Sequence, residues 1–199
     1  WARVQPGVVL DELNQHLMSH NLMFAPDVAT SSRANVGGMI GNNSAGAHSL
    51  IYGKTIDHVM SLDLLLANGE AITVEPISLD ELEAKQHGDS RESHIYREIC
   101  RIASENEDEV RQRFPRVLRR VAGYNLDEFV ADAGSKDLTP YRRDGCDADR
   151  PFSLAKIVIG SEGTLATILE AKINLVPTPK MTALNVLHFR TLIESMEAM

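Results

Sequence analysis

Cysteine, basic charge and long apolar runs are all scarce in this sequence, and each scarcity removes a class of protein. The two cysteines, Cys100 and Cys146, sit in no paired motif. That suits a reducing compartment better than a secreted disulfide framework. No run of 18 apolar residues exists, so no helix is expected to span a bilayer. Lys and Arg number 20 against 28 Asp and Glu, a net charge of -8. A general nucleic-acid or anionic-membrane binder needs a basic face, so neither is expected as a partner. The one basic run, from Arg111 through Arg113, Arg116 and Arg119 to Arg120, has no interleaved aromatics and reads as a solvated face or a contact with another domain. What remains is ordinary for a globular chain of 199 residues, 43% hydrophobic and 24% charged, long enough for a core without metal or disulfide staples. The sequence opens at Trp1 without an initiator Met and reads as the middle of a domain, so a fragment is expected.

Periodicity organises the chain unevenly. Val9, Leu10, Leu13 and Leu17 follow helical spacing between Val8 and Leu17. Residues 24–53 lose all periodicity and turn to Pro, Ser, Asn and Gly, the signature of either a disordered segment or a functional loop. Val59–Ala67 and Ala71–Val74 flank Asn68-Gly69, which predicts an antiparallel hairpin with positive φ at both turn residues. Ser78 and Glu81 have capping-box spacing, and Ile77 with Leu82 that of a hydrophobic staple. Ile95, Ile99 and Ile102 predict a longer helix ending before Pro115, and Glu105–Glu109 a solvated helix end. Residues 131–151 read as an exposed polar insertion carrying Cys146. Ala155–Ile159 reads as a short buried strand and Ile168–Val176 as another, ended by Pro177 and Pro179; an apolar stretch with a helical tail follows from Thr182. A hairpin without steady βαβ alternation favours α+β over a doubly wound sheet.

Gly37, Gly38, Gly41 and Gly46, interleaved with Asn42, Asn43 and Ser44, carry the chemistry of the aperiodic stretch. Glycine lets the main chain approach a ligand, and exposed N–H groups beside amides and hydroxyls can hold an anion or a heteroaromatic rim. The alternative is a plain turn or bulge. A dinucleotide fingerprint would need glycine where Val36 stands, and a P-loop ending at Gly53-Lys54-Thr55 would need it at His48. Gly160-Ser161-Glu162-Gly163 lacks the central serine of a nucleophile elbow. His16 and His20 lie one helical turn apart without a third ligand and read as solvated.

Five ordered segments, spread over about residues 4–180, resemble the FAD-linked oxidases with a p-cresol-methylhydroxylase-type FAD-binding domain. Pro26-Asp27 through Asn43-Ser44-Ala45-Gly46 is similar to P-D-P-S…T-I-G-G…N-A-G-G. Tyr52-Gly53 looks like an aromatic-Gly step, and Leu66-Ala-Asn-Gly69 like a strand ending in A-D-G. Gly123-Tyr-Asn-Leu126 resembles T-G-Y-D-L, and Gly160-Ser-Glu-Gly-Thr-Leu165 resembles G-S-E-G-T-L-G. Arg120–Phe129 and the gap before Phe152 resemble the large branch that oxidises D-2-hydroxy acids such as D-lactate or D-2-hydroxyglutarate.

The resemblance implies the second subdomain of such a domain, an antiparallel sheet flanked by helices. Residues 1–180 would be a partial FAD-binding domain whose pyrophosphate loop lies upstream, and residues 181–199 would start the substrate domain. It implies FAD as cofactor, with room for an iron–sulfur cluster further downstream, and a small 2-hydroxy acid as substrate. It also implies a cytoplasmic protein, with room for peripheral association with an inner membrane through an unknown electron acceptor. Pro26 and Thr30 would shape the segment beside the cofactor. Asn35, Gly37 and Gly38 would bring N–H groups to the phosphates and ribityl chain; Asn43, Ser44, Ala45 and Gly46 would lie near the flavin, with Tyr52 beside them. Glu162, Gly163, Thr164 and Ile168 would form the second wall. Arg119 or Arg120 on a phosphate is a weaker expectation. The family's substrate-holding groups, histidine base and metal ligands lie downstream, so no catalytic or metal residue is assigned here. Four departures stand out: Asn35 for threonine, Ala45 for glycine, Ile51 for a basic residue and Ala166 for glycine. Those at Ala45 and Ala166 motivate the alternative of a flavin-binding electron-transfer module without hydroxy-acid dehydrogenase activity.

Overall fold

The computed structural model describes residues 1–117, 119–121, 123–130 and 151–198. Its first strand, β1 (Ala2–Val4), is followed by α1 (Leu10–Leu17), which buries Leu10, Leu13 and Leu17, and by the short β2 (Leu22–Met23). The glycine-rich stretch is not one loop. Val36–Asn42 forms a helix, α2, and Ser49–Tyr52 and Thr55–His58 form single helical turns, α3 and α4. Glycine costs about 1 kcal/mol per helical position relative to alanine. Here Val36, Met39 and Ile40 offset that cost by full burial.

The predicted hairpin is present as β3 (Val59–Leu65) and β4 (Ala71–Val74), paired antiparallel with Leu62 opposite Val74 and Leu65 opposite Ala71. Its turn differs from the expected two-residue type. The Leu66 amide donates to the Glu70 carbonyl at 2.8 Å and the Gly69 amide to the Leu66 carbonyl at 2.9 Å. Only Gly69 has positive φ, at 84°, while Asn68 accepts from the Glu70 amide at 3.1 Å. That is a three-residue loop with its left-handed residue last, for which one glycine suffices.

The capping box starts α5 (Leu79–Gln86): Ser78 Oγ accepts from the Glu81 amide and Glu81 returns the bond to the Ser78 amide at 2.8 Å. The long helix is broken at Asn106 into α6 (Arg91–Glu105) and α7 (Glu107–Arg113), so Glu107–Glu109 open a helix rather than close one. The insertion at 131–150, with Cys146, lies outside the described residues. Ala155–Val158, expected as a strand, is one helical turn, α8. A short run buried on every side has no period to separate helix from strand. Both edges of β3 are already paired, by β4 and by β5 (Thr167–Ile173). The second predicted strand divides into β5 and β6 (Val176–Pro177); beyond it the chain is exposed up to and including α9 (Leu192–Glu197).

The main sheet is antiparallel throughout, in the order β1-β5-β3-β4, and a two-residue ladder joins β2 to β6. Helices α1, α2 and α8 deliver their apolar side chains to the same core as Leu62, Leu64, Val74 and Ile173. The mixed α+β architecture is therefore the one expected. The opposite face is polar: Arg3 spans to Asp63 at 3.1 Å and to Glu170 at 2.5 Å.

Candidate functional site

Asn35 caps α2, its Oδ1 accepting from the Gly38 amide at 2.6 Å. The Gly37 amide donates to the Pro6 carbonyl at 2.8 Å. Both glycine amides expected at a phosphate are thus engaged inside the chain. A Cβ on Gly37 would lie 2.5 Å from Pro6 Cβ, so this glycine lets α2 press against the segment that follows β1. At the other end of α2, Asn43 takes left-handed φ of 51° and is fully buried. Its Oδ1 accepts from the Ile56 amide at 3.0 Å, while its Nδ2 has no partner among the described residues. The Ser44 carbonyl accepts from the amide and hydroxyl of Thr55, at 3.0 and 2.9 Å, and so ties the strip to α4.

The last carbonyls of α2 are satisfied by a segment more than a hundred residues away in sequence. The Gly160 amide donates to Ile40 at 3.0 Å and the Glu162 amide to Gly41 at 2.9 Å. Gly160, Glu162 and Gly163 all have positive φ, which folds residues 160–164 into a tight, outward turn. Against it lies the 123–125 segment. Asn125 is buried and donates from Nδ2 to the carbonyls of Lys156 at 3.1 Å and Ile159 at 2.6 Å. Tyr124 Oη lies 2.9 Å from Thr164 Oγ1, which itself donates to the Ser161 carbonyl. A Cβ on Gly160 would meet the Gly123 carbonyl at 3.0 Å and Asn43 Cβ at 3.6 Å, so three of the recognised motifs converge there.

The approach from α7 to the 123–125 segment is fastened by charge. Arg120 Nη2 donates to both carboxylate oxygens of Asp127, its guanidinium lies over the Phe114 ring at 5.1 Å, and its carbonyl accepts from Lys54 Nζ at 3.0 Å. Through these contacts Arg120 holds this segment against Asp127, Phe114 and Lys54. Burial pushes the Lys54 ammonium down from its ordinary range, and the Arg120 charge adds to that. Burial likewise lowers His58, whose Nε2 donates to the Tyr52 carbonyl at 2.7 Å while its ring meets Phe24 edge-on.

The remaining expected residues fall on both sides of this strip. Pro26 is buried and Thr30 is exposed on a turn, its carbonyl accepting from Arg33 and Ala34 at 2.8 Å. Gly46 sits on the backbone of Asp27, where a Cβ would come within 1.7 Å of the carbonyl oxygen. Ala45 and Tyr52 are half-buried, and Glu162, Gly163 and Thr164 are exposed. Ile168 pairs with Leu64 and packs on the core. The groove of about 730 Å³ walled by Trp1, Val4, Leu13 and Leu17 contains none of them. Among the described residues no group of three metal-ligating side chains occurs, and His16 and His20 are an isolated pair 6.4 Å apart. Cys100 is a half-buried thiol whose pKa burial raises.

The sequence alone assigns no role to Asp27 or Asn125 as individual residues and does not make His48 a catalytic base. Asn125 stood inside a recognised motif. Asp27 and His48 are 21 residues apart and joined by no local pattern, yet Asp27 Oδ1 accepts the His48 amide at 3.0 Å and Oδ2 lies 3.2 Å from its Nδ1.

Comparison with known proteins supplies the frame for this geometry. Residues 1–75 match the family described as FAD binding domain. D-2-hydroxyglutarate dehydrogenase of Pseudomonas putida is 36% identical over 92% of the chain, and that of Escherichia coli 33% identical over 92%. A D-lactate dehydrogenase of Archaeoglobus fulgidus is 40% identical over 34% of the chain. The chain spans 17% of the length of each of those two D-2-hydroxyglutarate dehydrogenases. Among the described residues, no helix is long and apolar enough to cross a membrane. Segments scattered over the sequence thus converge in an antiparallel α+β unit, and this chain belongs to the FAD-linked oxidases, as part of a protein whose cofactor is FAD.

Proposed function

We propose that this chain forms one wall of the FAD site in an enzyme that oxidises a D-2-hydroxy acid, D-2-hydroxyglutarate first among them, to the 2-oxo acid. The observation that carries the reading is the convergence of Asn43–Gly46, Gly123–Asn125 and Gly160–Thr164 at the C-terminal end of α2. The extent of likeness favours the longer acid: identity to D-2-hydroxyglutarate dehydrogenases runs over more than nine-tenths of the chain, against a third for the D-lactate enzyme.

The residues present fit a flavin dinucleotide. A Cβ on Gly163 would meet nothing within 4 Å, leaving open backbone on an exposed turn where a planar group can approach. The surrounding Asn, Ser and Thr side chains are polar, suited to amide and ring-nitrogen edges, and Glu162 is the one carboxylate on the turn. Ser44, Ala45 and Gly46 would line the flavin on one side and Glu162, Gly163 and Thr164 on the other. Thr30, Asn35 and Gly38 extend the strip along α2. When bound, FAD supplies the two-electron acceptor, at N5, for a hydride from the alcohol carbon. This chain's part is orientation. Tyr124 fixes Thr164, Asn125 fixes the carbonyls under the turn, and Arg120 with Asp127 holds the segment carrying both. Residues 1–180 would then be part of the FAD-binding domain. The apolar, exposed 181–196 stretch would belong to the start of a substrate domain, with Met181 and Leu184 at 91% and 90% exposure.

The test is an anaerobic visible spectrum of the intact protein before and after D-2-hydroxyglutarate and, separately, D-lactate. Bleaching of a flavin band by D-2-hydroxyglutarate is the expected result. A flavin band that neither acid bleaches would refute the substrate class, and no flavin band would refute the cofactor assignment.

A further inference from the structure

We propose that Lys54 and Lys156 are positioning residues of the cofactor wall, closing a ring of hydrogen bonds that fixes the 43–46 strip relative to the 160–164 turn. The inference rests on the reading that both segments line the flavin, and it assigns the groups that set their separation.

The ring is centred on α4, a single turn of four residues, Thr55–His58. A helix that short has no stability of its own, because nucleation costs more than one turn returns. Its end groups must also find partners outside the helix. In α4 those partners come from distant segments. On the amide side, Thr55 donates to the Ser44 carbonyl at 3.0 Å and Ile56 to Asn43 Oδ1 at 3.0 Å, so the strip itself caps the turn. On the carbonyl side, Ile56 accepts from Lys156 Nζ at 2.9 Å and His58 from the Asn174 amide at 2.7 Å. Helix α4 therefore stands where its neighbours hold it, and it is bonded to the strip at two points.

Two lysines turn these contacts into a closed path. Lys54, immediately before α4, sends Nζ to the Arg120 carbonyl at 3.0 Å, 66 residues away. From Arg120 the chain runs to Asn125, whose Nδ2 donates to the Lys156 carbonyl at 3.1 Å and the Ile159 carbonyl at 2.6 Å. Lys156, on α8, returns to α4 through its own Nζ, across 100 residues. Both lysines are half-buried. Removing part of an ammonium from water is costly unless it is hydrogen-bonded. Each is aimed at a main-chain carbonyl, which fixes the position of a segment rather than of a side chain. The 160–164 turn follows closely on α8. The bonds of Gly160 and Glu162 to α2 fix one edge of it, and the ring fixes its base.

The experiment compares the intact FAD-loaded protein with Lys54→Met, Lys156→Met, the double variant and Lys54→Arg. It reads FAD affinity, the visible circular dichroism of the bound flavin and the urea midpoint of the apoprotein. Each Met substitution should weaken FAD binding about tenfold, the size of one hydrogen bond to a charged group. Because either break opens the same ring, the double variant should lose little more, where independent contacts would add to about a hundredfold. Flavin dichroism at saturating FAD should change in both Met variants, which a loss of fold stability alone would not produce. Lys54→Arg keeps a donor for the Arg120 carbonyl and should restore affinity and dichroism. Lys54→Gln, shorter but polar, takes the place of Lys54→Met if the latter does not fold. Unchanged FAD affinity and dichroism in the Met variants would overturn this proposal alone. So would additive losses in the double variant, a folded Lys54→Arg as weak as Lys54→Met, or a lowered urea midpoint with the flavin signals intact. A parent protein that holds no FAD would overturn the site reading together with it.

Discussion

Alanine at Gly46 isolates close packing from backbone conformation at the candidate site. Gly46 is not in the left-handed region, so its φ alone does not demand glycine. What demands it is space: a Cβ there would lie 1.7 Å from the Asp27 carbonyl oxygen, 2.3 Å from Oδ1 and 2.6 Å from the carbonyl carbon. Two of those atoms are backbone, so relief requires the 26–28 and 43–48 segments to separate. Forced overpacking costs up to about 3 kcal/mol, and parting Asp27 from the His48 amide sacrifices a charged hydrogen bond of about 1.5 kcal/mol or more. The combined loss is roughly 3–5 kcal/mol. Gly163→Ala supplies the contrast, since its φ is 77° and its Cβ would meet nothing within 4 Å. Its cost is conformational alone, about 1–2 kcal/mol. Urea unfolding of the intact apoprotein should show the difference as a midpoint lowered by roughly 1–2 M for Gly46→Ala, at ordinary urea slopes. A Gly46→Ala midpoint within about 0.2 M of the parent would refute the packing argument.

Three further perturbations follow from single buried groups. Tyr96 is fully buried with no partner on its hydroxyl among the described residues, and its pKa is pushed up to about 12, chiefly by burial. Tyr96→Phe should therefore stabilise the fold by about 1 kcal/mol in urea unfolding, and a loss of that size would mean the hydroxyl is bonded. His58 has its folded pKa lowered by burial, so its contribution is fully present above the unfolded value of about 6.5 and is lost as pH falls below it. Stability measured from pH 7.5 to 5.5 should drop more steeply in the parent than in His58→Gln, and parallel curves would refute this. Asn125→Ala should cost about 2 kcal/mol or more by orphaning the Lys156 and Ile159 carbonyls, with faster amide exchange at Gly160 as the local readout. An unchanged exchange rate at Gly160 would count against Asn125 as the support of that turn.

Local rules made part of this fold legible and could not reach the rest. The capping box at Ser78 and the hairpin around Gly69 were readable because their partners lie three or four residues apart. Helix α2 was not, since two glycines near its start and a third inside it argue against a helix. Only the burial of Val36, Met39 and Ile40 and the donation of Gly160 and Glu162 to its last carbonyls make that conformation favourable. The same holds for α8, where a buried Ala155–Ile159 run carries no periodic signal.

The site divides along the same line. Its segments were readable as motifs, but what each glycine does depended on partners far away in sequence. Gly37 answers to Pro6, Gly46 to Asp27 and Gly160 to Gly123, whereas a Cβ on Gly163 would meet nothing within 4 Å among the described residues. A glycine pressed against backbone serves the packing of the fold; the open backbone at Gly163, like that at Gly69 and Gly123, belongs to a turn whose positive φ itself favours glycine. The 162–165 turn is thus exposed, with open backbone at Gly163. Behind it, Gly41 of α2 lets the helix approach that turn, since a Cβ there would lie 3.7 Å from Glu162 Cα while the Glu162 amide donates to the Gly41 carbonyl at 2.9 Å.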